Sequence, residues 1–180
     1  MDFNKILESV LKDPKTLEVI SNKVGLASGD TKWEISKALP ILLGQLEKNS
    51  KDSSKLELMK NALGKKHDWN ILNNLSDWID LKDWWKIIGH IFGRDSANIE
   101  RKLWNWNVLK ALWPIVMGAL WKSVNAKWWE IWDIAWMLSA SSKSSNILIS
   151  FLDKDGDWDI KDDLFKMFIN WLKKKFLGGK

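Results

Sequence analysis

The sequence predicts an all-α protein: two related three-helix units packed together, then a C-terminal short helix, acidic loop and helix of EF-hand-like form. Three observations lead there. Apolar residues recur at helical spacing along most of the chain, with no competing alternation of strand type. A proline-bearing helical segment occurs twice. Alternate aspartates, Asp153, Asp155 and Asp157, sit near the C-terminus between two apolar stretches.

The first element with a clear start is at Asp13-Pro14, an aspartate cap followed by proline at the first helical position. It should run to about Lys23 and stop at Gly25. Thr31-Lys-Trp-Glu34 has the form of a capping box. It opens a helix whose apolar face carries Ile35, Ala38, Leu39, Leu42, Leu43 and Leu46, with a bend expected at Pro40. Ser54-Lys-Leu-Glu57 is a second box, opening a short helix that ends near Gly64. Asp68 to Asp83 reads as short helical turns joined by loops. Ala111 to Trp121 is the most apolar run and lies between Lys110 and Lys122. A membrane span needs about 20 apolar residues, so this is a buried core helix.

The repeat is carried by Lys37-Ala-Leu-Pro-Ile-Leu-Leu-Gly-Gln-Leu-Glu-Lys48 and Ala111-Leu-Trp-Pro-Ile-Val-Met-Gly-Ala-Leu-Trp-Lys122, with Pro40 over Pro114 and Gly44 over Gly118. Upstream, Val19 to Gly25 matches Asn98 to Trp104, and Lys5-Ile-Leu matches Lys86-Ile-Ile. Helix-forming patterns shared by chance could produce part of the match, but the aligned Pro and Gly favour duplication. Neither copy could bury its apolar face well alone. The organisation that follows is a first three-helix unit at 1–48, a helical connector at 49–83 and a second three-helix unit at 84–138. A Ser-rich spacer at 139–145 and a calcium-loop-like helix-loop-helix at 146–180 complete it.

A chain of 180 residues with 46% hydrophobic content can build a core without cross-links, and it has no cysteine to form any. The start, Met1-Asp-Phe-Asn-Lys-Ile-Leu-Glu8, lacks the apolar run of a signal peptide, and a cytoplasmic location is expected. Net charge is +5, but only Arg94 and Arg101 are arginine. Lysine gives a diffuse field and lacks the fork that reads guanine or phosphate, so specific nucleic-acid recognition is not expected. The tail lysines Lys173, Lys174, Lys175 and Lys180 leave a membrane surface or polyanion as the rival partner.

Fifteen tryptophans accompany no tyrosine. Several stand where a turn favours glycine: Trp158 in the acidic loop, Trp104 opposite Gly25 in the repeat, and the Asp-Trp pairs at Trp69, Trp78 and Trp84. The pattern is that of glycines written as tryptophan, as happens when UGA codons of a lineage that reads them as glycine are translated as tryptophan. The opposing reading is a genuine tryptophan-rich protein, with Trp128, Trp132 and Trp136 as a stripe on one helical face.

In the loop, Asp153, Asp155 and Asp157 would supply carboxylates to a Ca-type cation, Asp159 its carbonyl, and Asp162 a nearby acid. Ile160 matches the position that anchors such loops to a core. Two departures weaken the site: Trp158 in place of glycine, and Leu164 in place of the closing glutamate. A weak, structural calcium site is expected, against the alternative of an acidic turn capping the exit helix. His67 and His90 lack ligand spacing, and no nucleophile, phosphate loop or metalloprotease motif occurs. No catalytic residue or organic cofactor is therefore assigned.

The segments Ile87-Ile-Gly-His-Ile-Phe-Gly93, Leu112-Trp-Pro-Ile-Val-Met-Gly-Ala-Leu120 and Phe151-Leu-Asp-Lys-Asp-Gly-Asp157 together resemble a bacterial family known as domain of unknown function nine-three-seven. The resemblance implies helical content and an acidic loop with glycine at the position of Trp158. It implies no activity, substrate or catalytic residue. The functional expectation is a non-enzymatic scaffold or binding module with a structural cation loop. The rivals are a membrane-surface or polyanion binder, and an enzyme of unknown class.

Overall fold

The computed structural model describes residues 3–65, 69–82, 84–125 and 131–142. Helix dominates, and no strand occurs among the described residues. In chain order the helices are α1 (Phe3–Lys12), α2 (Pro14–Val24), α3 (Ser28–Ser50), α4 (Ser53–Lys65), α5 (Leu75–Trp78), α6 (Trp84–Phe92), α7 (Ser96–Glu100), α8 (Asn107–Asn125) and α9 (Ile131–Ser142). Tight 3-10 turns at Trp69–Leu72 and Gly93–Asp95 precede α5 and α7.

Helix α2 starts and stops as its sequence predicts. Asp13 accepts from the backbone amides of Lys15 at 3.3 Å and Thr16 at 3.2 Å, satisfying amides that have no intrahelical partner. Gly25 ends the helix with φ of +71°, a left-handed conformation without steric cost for glycine. The amides of Gly25 and Leu26 both donate to the Ser21 carbonyl, at 2.9 and 3.1 Å.

Both expected capping boxes fall elsewhere. Helix α3 begins at Ser28, so Thr31 lies inside it. The Thr31 hydroxyl donates to the Ala27 carbonyl at 3.0 Å and accepts from Ser21 on α2 at 2.9 Å. Helix α4 begins at Ser53 and is capped by Asp52, which accepts from the amides of Ser54 at 3.0 Å and Lys55 at 3.3 Å. A carboxylate is the stronger acceptor for those amides and complements the positive end of the helix dipole. Pro40 lies within α3, which continues through it to Ser50.

The core is arranged around α8. Every residue from Ala111 to Leu120 is buried, on all faces of the helix. This agrees with the expected buried segment, and no described helix is long and apolar enough to cross a membrane. Helices α1, α2, α3, α5 and α6 and the Trp69–Leu72 turn all contact it. Helix α3 presents Ile35, Ala38, Leu39, Leu42 and Leu46, each fully buried, to α8 and to its other neighbours. Each of the leucine and isoleucine side chains contributes about 1.5–3 kcal/mol on burial. Helix α9 lies on α3 through an apolar face that includes Ile134, Met137 and Leu138. It extends into the Ser-rich stretch, where Ser141 is buried and donates to the Met137 carbonyl at 2.7 Å.

Gly118 and Gly44 sit at matching places relative to Pro114 and Pro40, yet their surroundings differ. A Cβ at Gly118 would come within 2.9 Å of Leu72 Cδ2, whereas nothing lies within 4 Å of one at Gly44. Gly44→Ala is therefore expected to raise unfolding stability by about 0.5–1 kcal/mol through helix propensity. Gly118→Ala should lower it by about 1 kcal/mol, because overpacking against the 3-10 turn exceeds that gain. Urea denaturation of the two variants beside the parent measures both signs.

Candidate functional site

The residues first expected to hold a cation, Asp153, Asp155, Asp157, Asp159 and Asp162, lie outside the described residues, as do Trp158, His67 and the tail lysines. Among the described residues no group of three or more His, Asp or Glu is placed to hold a metal. Two other polar arrangements stand out in the folded chain.

The first is a pocket of about 160 Å³ where α3, α4, α6 and α8 meet. Leu46 and Asn49 come from α3, Lys55, Leu58 and Met59 from α4, Ile87, His90 and Ile91 from α6, and Trp113 from α8. The walls are mostly apolar, and no carboxylate lines them among the described residues. The end of α6 is held against α3 by two amide side chains. Gln45 Nε2 at 3.1 Å and Asn49 Nδ2 at 3.0 Å both donate to the Ile91 carbonyl, and Gln45 also donates to Asn49 Oδ1 at 3.1 Å. They satisfy a carbonyl at the helix end that would otherwise lack a partner, and they set His90 at the pocket's edge.

The Asp52 cap fixes the start of the helix that brings Lys55, Leu58 and Met59. A hydrogen bond from the Ser54 hydroxyl at 2.7 Å, foremost, and that from the Lys55 amide hold the exposed Asp52 carboxyl below its ordinary range. Its contribution is therefore present above the unfolded carboxylate pKa and is lost as pH falls through the lowered folded value. Lys55, Leu58 and His90 are exposed at the rim, Leu58 by 68%. Leu46 and Met59 are buried below them. Trp113 is also buried, and its indole N–H has no acceptor. The polar groups of the described lining are thus an engaged amide, an ammonium, an imidazole and the indole N–H of Trp113.

The second arrangement is the fully buried carboxylate of Glu34. It accepts from the backbone amides of Trp104 at 3.1 Å and Asn105 at 3.3 Å and pairs with Lys37. Asn105 in turn donates to the Val24 carbonyl at 2.9 Å and accepts from the Asn107 amide at 2.9 Å. One acid and one amide side chain therefore join the end of α2, the middle of α3 and the entry to α8. The local sequence suggested that Glu34 caps its own helix; it serves donors about 70 residues away instead. A charged residue on an otherwise apolar helical face was the available signal. With two backbone amides from the entry to α8 donating to one oxygen and Lys37 paired at the other, Glu34 is a structural staple.

A family model described as a bacterial protein of unknown function, DUF937, matches residues 7–123. The matched span takes in Ile87–Gly93 and Leu112–Leu120 and stops before the aspartate loop. No curated protein and no solved structure matches the chain.

Glu34→Ala is expected to destabilise the fold by about 2–4 kcal/mol, since it empties a fully buried position and leaves two part-buried amides without their acceptor. Glu34→Gln keeps one acceptor and should cost about 1–3 kcal/mol. Thermal unfolding monitored by circular dichroism gives both values, and equal stability of the three proteins would contradict the staple.

Proposed function

Because the chain belongs to DUF937, a family of bacterial proteins of unknown function, we propose its role from its own geometry: a non-enzymatic binding module whose site is the pocket between α3, α4, α6 and α8. The observation that carries the proposal is the make-up of that lining. Apolar walls line a partly open space of about 160 Å³, a few polar groups stand at the rim, and no carboxylate occurs among the described lining residues. Cavities of roughly 150 Å³ with such walls admit benzene-sized molecules. In a two-dimensional NMR titration, benzene is expected to shift the methyl resonances of Leu46, Met59 and Ile91 and to leave those of Leu7 and Leu11 on α1 unchanged. A uniform response, or none at saturation, removes the pocket as a binding site.

Two further readings belong to the same proposal. The element order α1, α2, α3 recurs as α6, α7, α8, with Pro40 and Pro114 inside the third helix of each set, which supports an origin by duplication. The reading of tryptophans as replaced glycines draws support from Trp113, whose N–H is buried without an acceptor, and from Trp136, exposed by 68%. A natural binding group would use such indoles, and a core would satisfy or exclude them.

The aspartate loop remains the proposed cation site, with Asp153, Asp155 and Asp157 as carboxylate ligands and Asp159 and Asp162 beside them. Calorimetric titration with calcium is expected to give heat with Trp158→Gly at ligand concentrations where the parent gives little, because glycine relieves the loop's sixth position. Absence of heat in the glycine variant would remove the cation site.

A further inference from the structure

We propose that the pocket takes a short-chain carboxylate amphiphile, with its alkyl chain among Leu46, Met59 and Ile91 and its carboxylate at the rim beside Lys55 and His90. The inference rests on the reading of that pocket as a binding site and adds the chemistry of its ligand.

The apolar part of the argument concerns size. A space of about 160 Å³ is too small for a drug-sized molecule and suits a chain of about six to eight carbons. Leu46 and Met59 are buried, so the part of the floor they form suits an alkyl chain and offers nothing to a polar group. Ile91 adds an apolar wall, and its carbonyl is already taken by Gln45 and Asn49. The one amide side chain in the lining is thus engaged and does not compete for the ligand's head group.

The polar part concerns sign. Among the described lining residues, Lys55 and His90 are the groups at the rim able to carry positive charge, and both are exposed. Among the described residues, none in the lining carries an opposing carboxylate. Asp52, one turn before Lys55, directs its carboxylate to the Ser54 hydroxyl and to the first amides of α4. A carboxylate entering the pocket head-outward would accept charge-assisted hydrogen bonds from Lys55, which a neutral head group would forgo. An ammonium head would meet like charge.

Calorimetry on the full chain with octanoate, octanol and octylammonium tests this directly. Octanoate is expected to bind about tenfold tighter than octanol, with octylammonium weakest. Lys55→Glu should reverse the order of octanoate and octylammonium and leave octanol unchanged. Lys55 is exposed in the first turn of α4, where an acid favours the helix dipole, so the variant keeps its fold. Equal binding of octanoate and octanol, or an order unmoved by Lys55→Glu, overturns the inference while benzene binding still upholds the pocket. Failure of all three amphiphiles and of benzene brings down the pocket reading itself.

Discussion

The burial of α8 on every side is the constraint around which the other helices are arranged. From Ala111 to Leu120 the helix offers no polar side chain to water, so each of its faces must be covered by another element. A single partner helix covers one stripe of such a cylinder. Full coverage requires several, and here α1, α2, α3, α5, α6 and the Trp69–Leu72 turn share the task. Gly118 lets the turn approach closely at one of these faces. Lys110 and Lys122 flank the buried run, and Lys122 is exposed.

Enclosing a helix in this way leaves helix ends and loop amides near the interior, where an unpaired polar group costs about 1–3 kcal/mol. The chain meets this with side chains from distant positions. Glu34 and Asn105 satisfy amides and a carbonyl at the junction of α2, α3 and α8. Gln45 and Asn49 do the same for the end of α6. Each of these polar residues lies on or beside an apolar helical face, and each joins elements far apart in the chain. They give the packing a specific register that interchangeable aliphatic contacts would not supply.

The pocket is a consequence of the same arrangement. Helices α3 and α6 are tied at the Ile91 carbonyl, α4 is fixed by its Asp52 cap, and α8 closes the floor with Trp113. Four helices meeting at a corner leave a gap that Leu46, Met59 and Ile91 line without filling. Lys55 and His90 then stand at its rim because of their places on α4 and α6. Membership of a bacterial family of unknown function leaves this chemistry as the guide to function.

Local sequence alone determined the helical class, the Asp13 cap and Gly25 stop of α2, and the buried character of Ala111–Leu120. These depend on interactions within a few residues or on composition along one helix, and both are written in the chain directly. The starts of α3 and α4 were misplaced because a Thr or Ser followed by Glu satisfies the same local pattern wherever it falls. Only the tertiary structure decided that Glu34 serves Trp104 and Asn105, that Gly118 admits Leu72 while Gly44 faces open space, and that His90 shares a pocket with Lys55. Those outcomes join positions tens of residues apart. No single-helix periodicity can encode them, because they depend on which faces meet when α8 is enclosed.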